Sequence, residues 1–585
     1  MHKHDAAILA LRSLINCIAR EYADLTDWSF NETTTFSVRF PDRGGRITLP
    51  VLHHSATGHH VFGEPLLLED LTGSRLITVV EALPIIITRL APEDSQREGR
   101  EEILERALSS RALIAEALDA RADDLDGLRA EMLSFIEAEQ GLLAGHGIHP
   151  CPKSRSGMTA DQLARFSPEF GAGFPLHWFA IAPELYRTGH SEGIPAAQAW
   201  IGEALGPELA DLKARLPSDD FALVPVHPWQ AAHLLESGRI DPLLSYGGVI
   251  DLGEAGKEWF ATSSVRTLYR PDMPFMLKLS LGIGITNSVR INLPKELLRG
   301  DDMARFRTHP AWSRFSENFP GLTFIPDPAW MAVADTNGEL VDDLSVSVRE
   351  NPFVGPGAER NVSALASLCE YLPGRGSRVG ALIRNRAAAE HRSVDLVALD
   401  WFHAFLGVFT RPVVALYLTH GIALEAHQQN VLLEIRNGYP VGSFYRDNQG
   451  FFHHSRSHDA LTAILPGLGE ASQSVYDELP VDERVIYYSY INSMLGMVGA
   501  IGREGLISEE RLLAALRDEL LSLERKIGGQ SRFVRKALHP ILSCKANLRT
   551  RLARMDELVG PVETQSVYLD IVNPITLADV ERAHA

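Results

Sequence analysis

His420–Gly450, HGIALEAHQQNVLLEIRNGYPVGSFYRDNQG, is the stretch from which the rest of the chain is read. Leu432, Leu433 and Ile435 are strand formers, Asn437-Gly438 is a two-residue hairpin signal, and Val441 to Tyr445 returns antiparallel. The hairpin brings Asp447 back toward Glu425, His427 and Asn430. Two carboxylates, an imidazole and a carboxamide then face one small volume. Hard ligands of this kind suit Mg²⁺, which takes carboxylates together with substrate phosphates. Small-molecule kinases use a similar layout, so a nucleotide–Mg²⁺ site is the first expectation. The competing reading is a polar loop capped by a solvated hairpin.

Immediately upstream, Ser393 to His420 is a long apolar helical pattern carrying Trp401, Phe402, Phe405, Phe409 and Leu416, kinked by Pro412. It reads as buried support for the metal loop. Further upstream lies a second chemical stretch, Phe260–Leu293, FATSSVRTLYRPDMPFMLKLSLGIGITNSVRINL, which reads as three short strands. In the first, Ser264 and Arg266 share a face by period two. In the second, Phe275, Leu277, Leu279 and Leu281 form an apolar face with Lys278 opposite. In the third, Thr286, Ser288, Arg290 and Asn292 line one side. Gly282 and Gly284 permit a bend or a close ligand approach. Such a face offers guanidinium, ammonium and hydroxyl donors together, as a triphosphate and a carboxylate require. A solvated antiparallel face is the plainer alternative.

The segment GHGIHPCPKSRSGMTADQLARFSPEF, residues 145 to 170, clusters His146, His149, Lys153 and Arg155 in a proline-stiffened loop. Thr159 and Gln162 form a capping box that starts a helix at Ala160. A basic loop beside a helix start is an anion-binding element, or else an ordinary linker. Val224 to Leu235 reads as a strand, a His227-Pro228 turn and a short helix, with His227 and Trp229 structural. Arg349 adds a further basic side chain near the substrate. His53, His54, His59 and His60 read as a solvated turn rather than a metal site. Gly253 to Lys257 is too short for a phosphate loop, and Gly374 to Gly380 lacks dinucleotide-fold spacing; both read as loops. Toward the end, Ser508 caps a helix that Gly528 terminates. Lys545 lies in a basic segment read first as a helix with a solvated face and second as a closure of the site.

The bulk numbers fit a large globular chain: 585 residues, 45% hydrophobic and 22% charged. A net charge of −19 argues against nucleic acid and anionic membranes as partners. Any anionic substrate must be held by a local basic cluster. Cys17, Cys151, Cys369 and Cys544 have no metal or disulfide spacing, as expected in a reducing compartment. The N-terminus reads as an amphipathic helix without a signal-peptide core. No apolar run is expected to span a bilayer; Leu76 to Leu90 comes nearest. A cytoplasmic location is the expectation.

Taken together, the ordered pieces resemble the NRPS-independent siderophore synthetases, the aerobactin-synthase (IucA/IucC) family. These pieces are His149-Pro-Cys-Pro-Lys-Ser-Arg155, His227-Pro-Trp-Gln230, Ser264-x-Arg266-Thr267, Lys278, Thr286, Arg290, Glu425-x-His427-x-Gln429-Asn430 and Asp447. Each is weak alone; their shared order from about Gly145 to Arg551 carries the likeness. The resemblance implies an α+β fold shaped as a cupped hand. Its parts are a mixed thumb (1–158), β-rich fingers (159–345) around a central antiparallel sheet, and a mostly helical palm (346–585).

The resemblance also implies an ATP- and Mg²⁺-dependent ligase that adenylates citrate or a related polycarboxylate. An amine or hydroxyl then attacks, with loss of AMP and pyrophosphate. By that likeness His149, Ser264, Arg266, Thr267, Lys278, Gln429 and Asn430 bind the nucleotide, and Glu425 and Asp447 bind Mg²⁺. Thr286, Arg290 and His427 act at the carboxylate and acyl centre. A homodimer is implied. Pro152-Lys153-Ser154 resembles members that use free citrate; a monoacylated citrate or a succinyl hydroxamate is the alternative. A small-molecule phosphotransferase and a non-enzymatic binder of ferric siderophore or citrate are the rival functions.

Overall fold

The eight-stranded antiparallel sheet at the centre of the chain is built from strands that alternate between buried faces. Its order is Ala222–Val226, Gly173–Ile181, Val249–Ala261, Thr267–Tyr269, Phe275–Leu279, Val346–Glu350, Ala329–Val333 and Tyr186–His190. Both faces are largely covered, so Phe275, Leu277 and Leu279 on one side and Lys278 on the other are all buried. The computed structural model describes residues 2–41, 44–90, 96–285, 288–555 and 566–576.

Before this sheet, the helices His2–Glu21, Val79–Leu90 and Arg97–Ala120 pack on a six-stranded antiparallel sheet that opens with Thr26–Phe30 and closes with Gly73–Ile77. After it, a large helical core surrounds a four-stranded sheet holding the hairpin strands Val431–Arg436 and Tyr439–Tyr445. The chain then folds back on its beginning. Leu548 and Leu552 enter the N-terminal core, and Glu21 accepts the backbone N–H groups of Leu548 and Arg549 at 2.9 and 2.8 Å.

The hairpin forms for the reason its sequence states. Asn437 and Gly438 hold φ of 50° and 77°, the left-handed pair that a two-residue turn between twisted strands requires. Trp401 Nε1 donates to Gly438 O at 2.9 Å and fixes the turn against the support helix. That helix runs from Val394 to His420 through a π-helical segment, Leu406–Thr410. Pro412 has no N–H to give the carbonyl four residues back. Ser443 Oγ of the second hairpin strand donates to that carbonyl, Val408 O, at 2.7 Å. The proline thus creates a docking point for the strand that leads to Asp447.

Several expectations are corrected. Val394–His420 is long and apolar enough by length and composition to cross a membrane, which the reading of Leu76 to Leu90 as the nearest candidate overlooked. Trp401, Phe402, Phe405 and Phe409 are nevertheless fully buried in the C-terminal core. Gly253 to Lys257 is no loop but part of the strand Val249–Ala261, bulged between Asp251 and Gly253. Gly374 to Gly380 is no loop throughout: it holds the short strand Gly376–Ser377 and the start of the helix Arg378–Glu390. The segment 53–60 is not solvated throughout. His60 is buried against Trp28, and Ser55 Oγ and Thr57 N both donate to the buried Glu509 at 3.1 Å. Ser264 and Arg266 sit in a tight turn, not on a strand; only Thr267–Tyr269 is extended. Gly282 and Gly284 lie within the strand Leu281–Ile285, and its pairing with Ser288–Arg290 is irregular between Leu281 and Gly284, in keeping with the bend expected there.

His227 illustrates a buried, uncharged histidine. It caps the helix Pro228–Glu236 by accepting Trp229 N at 3.2 Å, and burial lowers its pKa to about 3. The unfolded chain takes up a proton there below about pH 6.5 while the folded chain does not, so stability falls as pH drops from 6.5 toward 3. Asparagine retains a cap acceptor and removes the titration. In urea unfolding between pH 4 and 6, His227→Asn should therefore lose pH dependence by about 1 kcal/mol per pH unit relative to the parent chain.

Candidate active site

A cavity of about 880 Å³ opens where the central sheet, the hairpin and the 145–155 loop meet. Among the described residues lining it, eleven Lys or Arg side chains face four carboxylates. The net charge of the chain is −19, so this is a local reversal of sign of the kind an anionic substrate needs.

One wall is the turn between Val249–Ala261 and Thr267–Tyr269. Val265 is buried and holds φ of +68°, a conformation β-branched residues rarely adopt. Thr267 N donates to Ser264 Oγ at 3.2 Å. Arg266 is held by Arg290 O, Ile291 O and Asn292 Oδ1 at 3.0–3.1 Å. Burial lowers its pKa to about 10, which leaves it cationic at neutral pH.

The second wall is the hairpin. Asn430 Nδ2 donates to Asp447 Oδ2 at 3.0 Å and to Glu425 O at 3.1 Å, so the two ends meet as the sequence implies. Glu425 pairs with Arg484. Burial would raise Asp447, but Lys278 and Arg349 outweigh it and hold the carboxyl below its ordinary range.

The walls are joined by charge. Lys278 Nζ lies 3.5 Å from Asp447 Oδ1 and 3.8 Å from Asp327 Oδ2. Arg349 Nε and Nη2 donate to the two oxygens of Asp327 at 2.6 and 3.1 Å. Burial lowers the Lys278 pKa, with Asp447 opposing.

The third wall carries imidazoles. His427 Nδ1 accepts Gln429 N at 3.3 Å and His149 Nδ1 accepts Cys151 N at 3.2 Å. An acceptor at Nδ1 puts the proton of the neutral ring on Nε2. Burial lowers the His427 pKa to about 4, so the ring is a neutral N–H donor at physiological pH.

His149, Ser264, Arg266, Thr267, Lys278, Arg290, Glu425, His427, Gln429, Asn430 and Asp447 all line this cavity. Thr286 lies outside the described residues. The 145–155 loop departs from its expected part: Lys153 and Arg155 both turn to the buried Glu169, at 2.5 and 2.6 Å. Their charges outweigh burial and hold Glu169 down at about 2. Lys545 lies on the strand Ile541–Lys545, not on a solvated helix, and lines the cavity beside Tyr487 and Tyr488. Sequence reasoning missed Asp327, Glu139, Arg446 and Arg484. Arg446 alone carried a signal, standing next to Asp447.

The IucA / IucC family model matches residues 134–370, and a model described as ferric iron reductase FhuF-like transporter matches residues 399–560. The rhizobactin siderophore biosynthesis protein RhbC of Rhizobium meliloti is 60% identical over the whole of both chains. The spermidine-citrate ligase of Bacillus anthracis is 35% identical, over 90% of this chain and 88% of its own. The ATP-bound aerobactin synthetase IucA of Klebsiella pneumoniae superposes with a TM-score of 0.88 at 28% identity, covering 97% of this chain and 99% of its own. With near-complete alignments at these identities, and the ordered motifs gathered around one cavity, the chain belongs to the IucA/IucC family of siderophore synthetases.

Proposed function

We propose that this chain is an ATP-dependent ligase of siderophore biosynthesis that adenylates a carboxylate of citrate and joins it to an amine or hydroxyl. The observation that supports the reading is the 3.5 Å approach of Lys278 to Asp447: cations suited to phosphates and a carboxylate suited to a metal share one cavity. The names of the relatives, which include a spermidine-citrate ligase, support citrate as the acid.

In this reading Ser264, Arg266, Thr267 and Lys278 hold the triphosphate, with His149, Gln429 and Asn430 completing the nucleotide site. Arg290 holds the citrate carboxylate, and Thr286 is assigned there by family likeness. A carboxylate oxygen bonds to the α-phosphorus as the bond to pyrophosphate breaks. The nucleophile then attacks the acyl carbon, the carbon–oxygen bond to AMP breaks, and the nucleophile's proton leaves to solvent. Bringing two anions together is the main barrier, so neutralisation and positioning supply most of the catalysis. His427 offers its Nε2–H to the oxygen on which charge develops.

Mg²⁺ fits the donors present. Among the described residues no group of three or more His, Cys, Asp or Glu converges, so a complete protein cage is lacking. Glu425 and Asp447 would supply the one or two carboxylates that this ion takes when phosphates fill its other positions. When bound, it would neutralise phosphate charge. We also take the enzyme to be a cytoplasmic homodimer, on family likeness.

Arg290→Ala and His427→Ala should stay folded and lose about 10²–10³-fold in citrate-dependent pyrophosphate release; wild-type turnover in either removes that residue from the site. Asp447→Asn should raise the Mg²⁺ concentration needed for half-maximal rate, read from a metal titration at fixed ATP. An unchanged requirement would take Asp447 out of metal binding. ADP as product would favour a phosphotransferase.

A further inference from the structure

A buried junction beside the cavity ties together three segments that are remote in sequence. Glu139 lies on the short helix Phe135–Gln140 and is about 1% exposed. Its Oε2 accepts both the backbone N–H and the hydroxyl of Ser263, at 3.0 and 2.9 Å. Its Oε1 is 2.9 Å from Arg446 Nη1. Arg446 Nε and Nη2 donate to Gln429 O at 3.2 and 2.9 Å, and Nη2 also donates to Ser263 Oγ at 3.2 Å. Gln429 Nε2 donates to the same hydroxyl at 3.4 Å.

The positions of these residues give the junction its meaning. Ser263 immediately precedes Ser264 and stands beside Arg266 and Thr267 in the turn. Arg446 immediately precedes Asp447, and its N–H donates to Asn430 O at 3.1 Å. Stability is a poor reason for burying such a pair, because desolvation roughly cancels the attraction. A planar guanidinium fork that reaches several fixed acceptors is instead a device of geometry.

We infer that Arg446 and Glu139 are positioning residues: their junction sets the separation between the phosphate-holding turn and the metal-holding hairpin. The inference rests on the adenylating reading above, which assigns those two elements to one nucleotide.

Arg446→Lys tests it, since lysine keeps a cation for Glu139 but cannot make the same directed bonds. With Mg-ATP, citrate and hydroxylamine as the trapping nucleophile, its KM for ATP should rise about tenfold while the KM for citrate stays within about twofold. Glu139→Gln should show the same split. The double variant should be no worse than the more affected single, because both act through one junction. An unchanged ATP KM, equal rises in both KM values, or an additive double variant would overturn the inference. So would failure of both single variants to fold, which would make the pair a support of the fold alone. Failure of the parent reading is distinct: the wild-type chain would itself form no citrate-dependent AMP.

Discussion

The salt bridge between Lys278 and Asp447 holds the site together, because each partner belongs to a different half of the structure. Lys278 comes from the central sheet and Asp447 from the hairpin, and both are largely buried. A buried pair of this kind gains little net stability from its own attraction. It persists because other polar groups surround it: the charges of Asp327 and Arg349 behind Lys278, and the Asn430 amide that donates to Asp447. The result is a cavity whose lining cations outnumber its lining carboxylates, so anions that enter bring its charge toward balance. A nucleotide triphosphate and a polycarboxylate supply that balance, which ties the electrostatics of the fold to the proposed chemistry.

The rest of the molecule holds these two walls in place. Trp401 pins the hairpin turn, and Ser443 takes the carbonyl that Pro412 leaves unbonded. Glu21 grips the helix after Lys545, so the last cationic wall is anchored to the first helix of the chain. These contacts are all side chain to backbone, and each fixes an element that leads to a residue lining the cavity.

Much of this was legible in the sequence, for identifiable reasons. The hairpin declares itself because only a few residue pairs suit its turn, and its ends must then converge. Lys278 is legible because strand alternation separates it from Phe275, Leu277 and Leu279. The readings that failed depend on contacts with no local pattern. Val265 gives no hint that it holds a positive φ, so Ser264 and Arg266 were expected on a strand. Lys153 and Arg155 look like anion ligands until the fold brings Glu169 against them. Asp327 and Glu139 lie in unremarkable stretches and matter only through partners distant in the chain. Gly253 to Lys257 resembles a loop because a bulge admits glycine within a long strand.

The central claim is that citrate is activated at the α-phosphorus of ATP within this cavity. Supplying citrate labelled with oxygen-18 in its carboxylates, with ATP, Mg²⁺ and a trapping amine, tests it most directly. Adenylation followed by attack at carbon leaves one labelled oxygen on AMP, and mass spectrometry should find it there. Label in inorganic phosphate, with AMP unlabelled, would contradict the account and point to transfer of the γ-phosphoryl group.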